Sequence, residues 1–199
     1  MAKEPKQLRL ADRRQLIIEA AIPINGQRGY YGFSIKSLAV ACALTVPGVL
    51  HHFGSKEAIL MAVLDYRERR EFEAVWQGLP FRDAVELEKY GLAEFKRLMH
   101  ETVAHSSQHP EILRLGSMLR IESLYPGHPA YTFFRDRNRR ALRTFTHMLN
   151  GKVEDPRIAA AAVMALMLGL EALWLGNPEM IDFVAQWDHG IEKILPSIT

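Results

Sequence analysis

The chain has 199 residues, 48% of them hydrophobic, enough for one or two small domains with a real core and too apolar for general disorder. Its formal charge is only +2, but eight cations against three anions lie within residues 1–56, which leaves the remainder near −3. A single cysteine excludes an internal disulfide framework and suits a reducing cytoplasm, and Met1–Arg14 is polar and basic, with no apolar signal core.

Helical periodicity runs almost throughout, with no alternating strand pattern, so the expected fold is all-α with about nine helices. The first spans about Leu10–Arg28 and stops at Gly29-Tyr30-Tyr31-Gly32. Within it, Pro23 and Gly26 predict a kink or an early end, since they cost about 3 and 1 kcal/mol inside a helix. Asn25 needs a hydrogen-bond partner if buried.

Residues 34–57 are the most informative. Ile35, Leu38, Ala39 and Cys42 share one helical face, and the default for that thiol is a buried, inert one. Thr45 suits an N-cap, Pro47 the first turn after it, and Val49, Leu50 and Phe53 form a short apolar stripe. Two short helices joined by so tight a turn make a helix-turn-helix, whose second helix fits the DNA major groove.

Ser55 caps a fourth helix reaching about Gln77. Further helices are expected over Ala84–Ser107, from Pro110 to near Tyr125, over Pro129–Asn150, over Pro156–Gly176, and from Pro178 to near Pro196. Ile158–Gly176 imitates a membrane span but contains Glu171. The reading is a soluble protein with this helix buried, in a subunit interface.

With these elements in place, the chain resembles the TetR family of transcriptional regulators. The likeness runs over Arg13–Leu64: Ala20-Ala21, Gly29-Tyr30, Ser34, Leu38-Ala39, Thr45, His52-Phe53 and Ser55-Lys56-Glu57. A looser likeness continues in His128-Pro129-Ala130, Arg135, Arg137, Gly169-Leu170 and Trp174-Leu175. It implies a helix-turn-helix DNA-binding domain over residues 1–55 and a ligand-binding and dimerisation domain over residues 56–199. It further implies a homodimer through the last two helices, a near-palindromic double-stranded operator, and an effector pocket among the C-terminal helices.

By the same resemblance, Arg9, Arg13, Lys36, Thr45, Val46, Pro47, Gly48, His51, His52 and Lys56 are the DNA-binding candidates, and Arg14, with Arg9 and Arg13, could track the backbone or enter the minor groove. Lysine, arginine and Thr45 supply phosphate partners; Val46, Pro47 and Gly48 carry no side-chain donor, which shifts specificity toward thymine methyls, DNA shape and Lys36. His51 and His52 are either DNA contacts or a solvated pair. Leu50 stands where the family commonly has a tyrosine, and either touches DNA or plugs its own core. Asn25 replaces a usual phenylalanine, and Ala43 a usual glycine at the inter-helix turn, where a left-handed backbone costs alanine about 1 kcal/mol.

The ligand candidates are Met99, Met118, Glu122, Tyr131, Phe134, Phe145 and Glu171. Apolar residues at this spacing are core unless a cavity opens beside them. Glu122 and Glu171, carboxylates within apolar stretches, either meet a cationic ligand group, pair with an arginine of the helix over Pro129–Asn150, or are exposed at an interface rim. Glu101, His105 and His109 recur every fourth residue without a fourth ligand, so no metal is expected. Neither a nucleophile elbow nor a phosphate loop is present, and neither cofactor nor catalysis is expected. The function that follows is a ligand-released repressor. The alternative is a dimer of the same type that has lost specific DNA binding and acts as a small-molecule or protein-binding module.

Overall fold

The computed structural model describes residues 10–80 and 83–196, and every regular element among them is helical. In chain order these are α1 (Leu10–Gly32), α2 (Ile35–Ala41), α3 (Val46–Phe53), α4 (Lys56–Glu71), α5 (Ala84–Glu88), α6 (Leu92–Ser107), α7 (Pro110–Glu122), α8 (Tyr131–Leu149), α9 (Pro156–Gly176) and α10 (Phe183–Ile194). The expected nine become ten because the predicted fifth helix breaks at Lys89-Tyr90-Gly91, where the Glu94 carboxylate takes the Gly91 N–H at the start of α6. α4 gives way to a π turn over Phe72–Trp76.

Side-chain caps set several helix starts. Ser34, Thr45 and Ser55 each accept the N–H three residues on, and Asp83, Asp155 and Asp182 do the same for α5, α9 and α10. α1 runs through Pro23 instead of kinking there. Pro23 and Glu19 are both exposed, so the carbonyl that Pro23 leaves without a donor is open to water. The break falls at Gly29 (φ 64°, ψ −176°), a conformation essentially confined to glycine. Asn25 is buried and donates to the Ala21 carbonyl. Gly26 faces the α7 backbone so closely that a β-carbon would lie 3.3 Å from the Leu115 nitrogen. The glycine that looked like a weakness is what lets α1 lie against α7.

Two cores result. The first joins Ile17, Ala21, Leu38, Val49, Ile59, Val63 and Leu64 of α1–α4 to Leu115 and Leu119 of α7, and to Ala130 and Phe134 at the start of α8. The second lies among α5–α10 around Phe95, Met99, Met148, Val163 and Trp187. α7 and α8 contribute to both, so the N-terminal helices sit on the body across shared apolar packing.

Candidate nucleic-acid interface

α2 and α3 cross at 102°, within the range of a helix-turn-helix. Their connection carries Ala43 at φ 51°, the left-handed conformation anticipated for this turn. Val49 and Phe53 anchor α3 to the first core, Leu50 is half-buried, and the opposite face is open. Lys36, Val40, Thr45, Pro47 and His51 are exposed there, with Val46, Gly48 and His52 half-covered. One surface therefore gathers most of the predicted DNA-binding residues. Arg9 lies outside the described residues.

Two cations have other partners. The Lys56 ammonium sits 4.3 Å from the centre of the Tyr30 ring, at the junction of α1 and α4. Arg14 donates to the His52 carbonyl and stacks its guanidinium 4.1 Å over Phe53, a cation clamping the negative end of the α3 dipole. Burial, then His51, Arg13 and Arg14, push His52 below the ordinary histidine value, so it is neutral at pH 7 and meets a partner as a hydrogen-bonding group. Sequence spacing gives no hint of the Arg14 clamp, which joins residues 38 positions apart.

Behind this surface, a polar cluster couples the head to the body. The Tyr30 N–H, freed by the break at Gly29, donates to the Glu122 carboxylate of α7 at 2.7 Å. The Tyr30 hydroxyl donates to Glu57. Burial, with Glu57 beside it, raises that phenol far above its usual range, so it stays a donor. His128 packs edge-on against Tyr30 and Tyr31, its Nε2 3.5 Å from Glu122 and its Nδ1 accepting the Ala130 N–H. Burial lowers its pKa and Glu122 only partly opposes this. Glu122, a ligand candidate by sequence, thus holds the hinge of α1.

The ligand-sized space lies farther along α4. A cavity of about 690 Å³ opens between the end of α4, its π turn, α5, α8 and α9. Trp76 and Phe145 stack in its wall, with centroids 6.2 Å apart, and Met164, Met167 and Leu168 of α9 also line it. Of the predicted ligand residues, Phe145 alone lines it. Met99 belongs to the second core and Phe134 to the first; Met118 is exposed on α7; Tyr131 lies under the Arg135 guanidinium. Buried Glu171 pairs with Arg120 of α7 at 2.9 Å, an arginine from a different helix than sequence suggested, and accepts the Ser117 hydroxyl. Glu68 of α4 and Arg137 and Arg143 of α8 also line the cavity, and no motif or periodicity in the sequence pointed to them. Glu101 turns to Arg97, and the His105 and His109 rings meet edge-on at 5.0 Å.

Residues 17–63, which hold the helix-turn-helix, match the family model for bacterial regulatory proteins of the tetR family. The helix-turn-helix segment is thus similar to the DNA-binding region of the tetR family of bacterial regulators. Over 198 residues, 97% of its length, the chain is 27% identical to the A-factor receptor protein of Streptomyces griseus, of which it spans 66%, just under two thirds. Among solved structures, the fold is similar to that of SmeT in complex with triclosan (TM-score 0.74, 17% identity, 92% of this chain and 90% of that one). SmeT is described as the repressor of the Stenotrophomonas maltophilia multidrug efflux pump SmeDEF. The fold of this chain is also similar to that of AibR in complex with isovaleryl coenzyme A and operator DNA (TM-score 0.73, 19% identity, 94% of this chain and 100% of that one). At these identities the structural likeness concerns the TetR-type fold.

Proposed function

We propose that the chain is a homodimeric, cytoplasmic repressor that reads a near-palindromic operator with α3 and leaves it when a small molecule occupies the cavity beside α4. The observation that carries this reading is the course of α4. It starts at Lys56, three residues after α3 ends, and its last turns bring Glu68, Arg69 and Glu71 to the cavity wall. A ligand that shifts the far end of α4 thereby shifts the recognition helix, and a changed spacing between two such helices no longer matches successive half-sites. The functional division falls between residues 55 and 56, with α4, which starts at that point, as the lever between the two parts.

Lys36, Thr45 and His51 are exposed on the reading face and supply its donors, while Val46 and Pro47 offer apolar surface for thymine methyls. Arg13 adds phosphate attraction at one side. AibR, of the same fold, is described with a ligand and operator DNA together, which supports both partners on this scaffold. Dimerisation through α9 and α10 fits the apolar character of α9, of whose most hydrophobic 18-residue window only 17% is buried within one chain.

Selection of random duplexes on the purified protein tests the reading. Wild type enriches a near-palindrome, and Lys36→Glu with His51→Ala loses it. No enrichment from a folded dimer at low salt would overturn DNA recognition and leave a ligand-binding module.

A further inference from the structure

The rim of the large cavity does not match its floor. The floor is apolar, built on the Trp76–Phe145 stack with Met164 and Met167 across from it. The rim brings four arginines, Arg69, Arg137, Arg140 and Arg143, against two glutamates, Glu68 and Glu71. Arg137 is fully engaged, at 3.2 Å from each glutamate. Arg140 shares Glu68 at 3.6 Å and its side chain is 62% exposed. Arg69 reaches only the Asp65 carbonyl, at 3.5 Å, and Arg143 has no hydrogen bond or ion pair among the described residues. The neighbouring Thr144, also on the cavity wall, likewise has no hydrogen bond among the described residues, whereas the Thr102 hydroxyl donates to Leu98. Positive charge and an uncommitted hydroxyl therefore stand over an aromatic floor.

We propose that this cavity takes an amphipathic acid, its apolar body on Trp76 and Phe145 and its carboxylate between Arg140 and Arg143. The inference rests on the reading of the cavity as the effector site and names the chemical class of the effector. An alkyl or aromatic body gains by leaving water, while a carboxylate meets charge-assisted donors that a neutral head cannot exploit; a cationic head meets net repulsion. The same contact supplies the trigger. Glu68 of α4 is shared by Arg137 and Arg140, so an arriving carboxylate that draws Arg140 away removes one of the two cations holding the end of α4 that borders the cavity. Met164 and Met167, flexible side chains, let the floor adapt to the shape of the ligand's body.

Tryptophan emission of the full chain, titrated with decanoate, decan-1-ol and decyltrimethylammonium below their aggregation points, tests the class. Trp76→Phe assigns the signal, since Trp174 and Trp187 do not line the cavity. Decanoate is expected to bind about tenfold or more tightly than decan-1-ol, with decyltrimethylammonium weakest. Arg140→Gln with Arg143→Gln erases that preference and leaves decan-1-ol affinity unchanged. If that variant fails to fold, the ranking of the three probes on wild type decides. Decan-1-ol or the ammonium binding as tightly as decanoate, or no probe binding at all, would overturn the proposal. Duplex binding, recorded on the same preparation, separates the two readings. Intact duplex binding with the wrong probe ranking sinks the acid alone; lost duplex binding with the right ranking sinks the regulator and leaves the acid site.

Discussion

Ala43 and Gly29 hold opposite positions in the same problem, since both have a positive φ and only one is glycine. Ala43→Gly relieves a left-handed alanine at the cost of extra freedom in the unfolded chain, and should stabilise the protein by about 0.5–1 kcal/mol in urea unfolding. Gly29→Ala should do the reverse, by more than about 2 kcal/mol, because a β-carbon there would lie 2.0 Å from the Glu122 carboxylate as well as in a forbidden backbone region. An unchanged urea midpoint would remove the hinge from the account. The histidines give a pH dependence with a definite sign. His52, His105 and His128 all titrate below the ordinary value in the folded chain, burial being the largest cause of each shift. The unfolded chain therefore binds more protons, and stability, full above about pH 6.5, falls as the pH drops through that value toward 5. Unfolding measured at pH 7.5 and 5.5 checks it; equal stability would contradict the burial of these rings. The left-handed turn at Ala43 was legible only through the resemblance, which puts a glycine at that position. The site of the α1 break was not, since propensity pointed to Pro23 and the outcome depended on which side of the helix faced water.

Elements were legible to the extent that caps and periodicity define them. Thr45 and Ser55 marked the starts of α3 and α4, whereas the Ser34 cap of α2 was not read as one, and the split between α5 and α6 depended on a glycine with a glutamate three residues on. What no periodicity reveals is the partner of a buried charge. Glu171 on α9 is buried and held by Arg120 and Ser117 of α7. Glu171→Leu strands the Arg120 guanidinium and should cost about 3–5 kcal/mol, while adding Arg120→Met should restore much of the loss. A double variant as unstable as the single one would show that the pair serves packing alone. Nearby, Glu71 is caught between opposing effects: burial raises its pKa, but Arg137 and Arg67 outweigh that and leave it below the ordinary carboxylate value. The far end of α4 is therefore pinned by charge, and charge is what a ligand acid can displace.

At the scale of the molecule, the most apolar 18-residue window of α9 has a mean hydropathy of 2.1, and Ile158 and Leu173 are 70% and 54% exposed. Length and composition alone would let it cross a membrane; its contacts with α7, α8 and α10 place it in the helical body, with one apolar side uncovered. A second copy covering that side is the economical answer, and Ile158→Glu with Leu173→Glu should convert a dimer to a monomer in sedimentation velocity. A variant that sediments like wild type would move the dimer contact elsewhere. The central claim remains that the α2–α3 surface grips DNA. Its most direct test is the affinity of a fluorescent selected duplex, followed by anisotropy from about 50 to 200 mM salt for wild type and Lys36→Glu. The account predicts a steep linear fall of log affinity with log salt, and a weaker, shallower line for the variant. Flat, weak binding that is identical for the two proteins would contradict it.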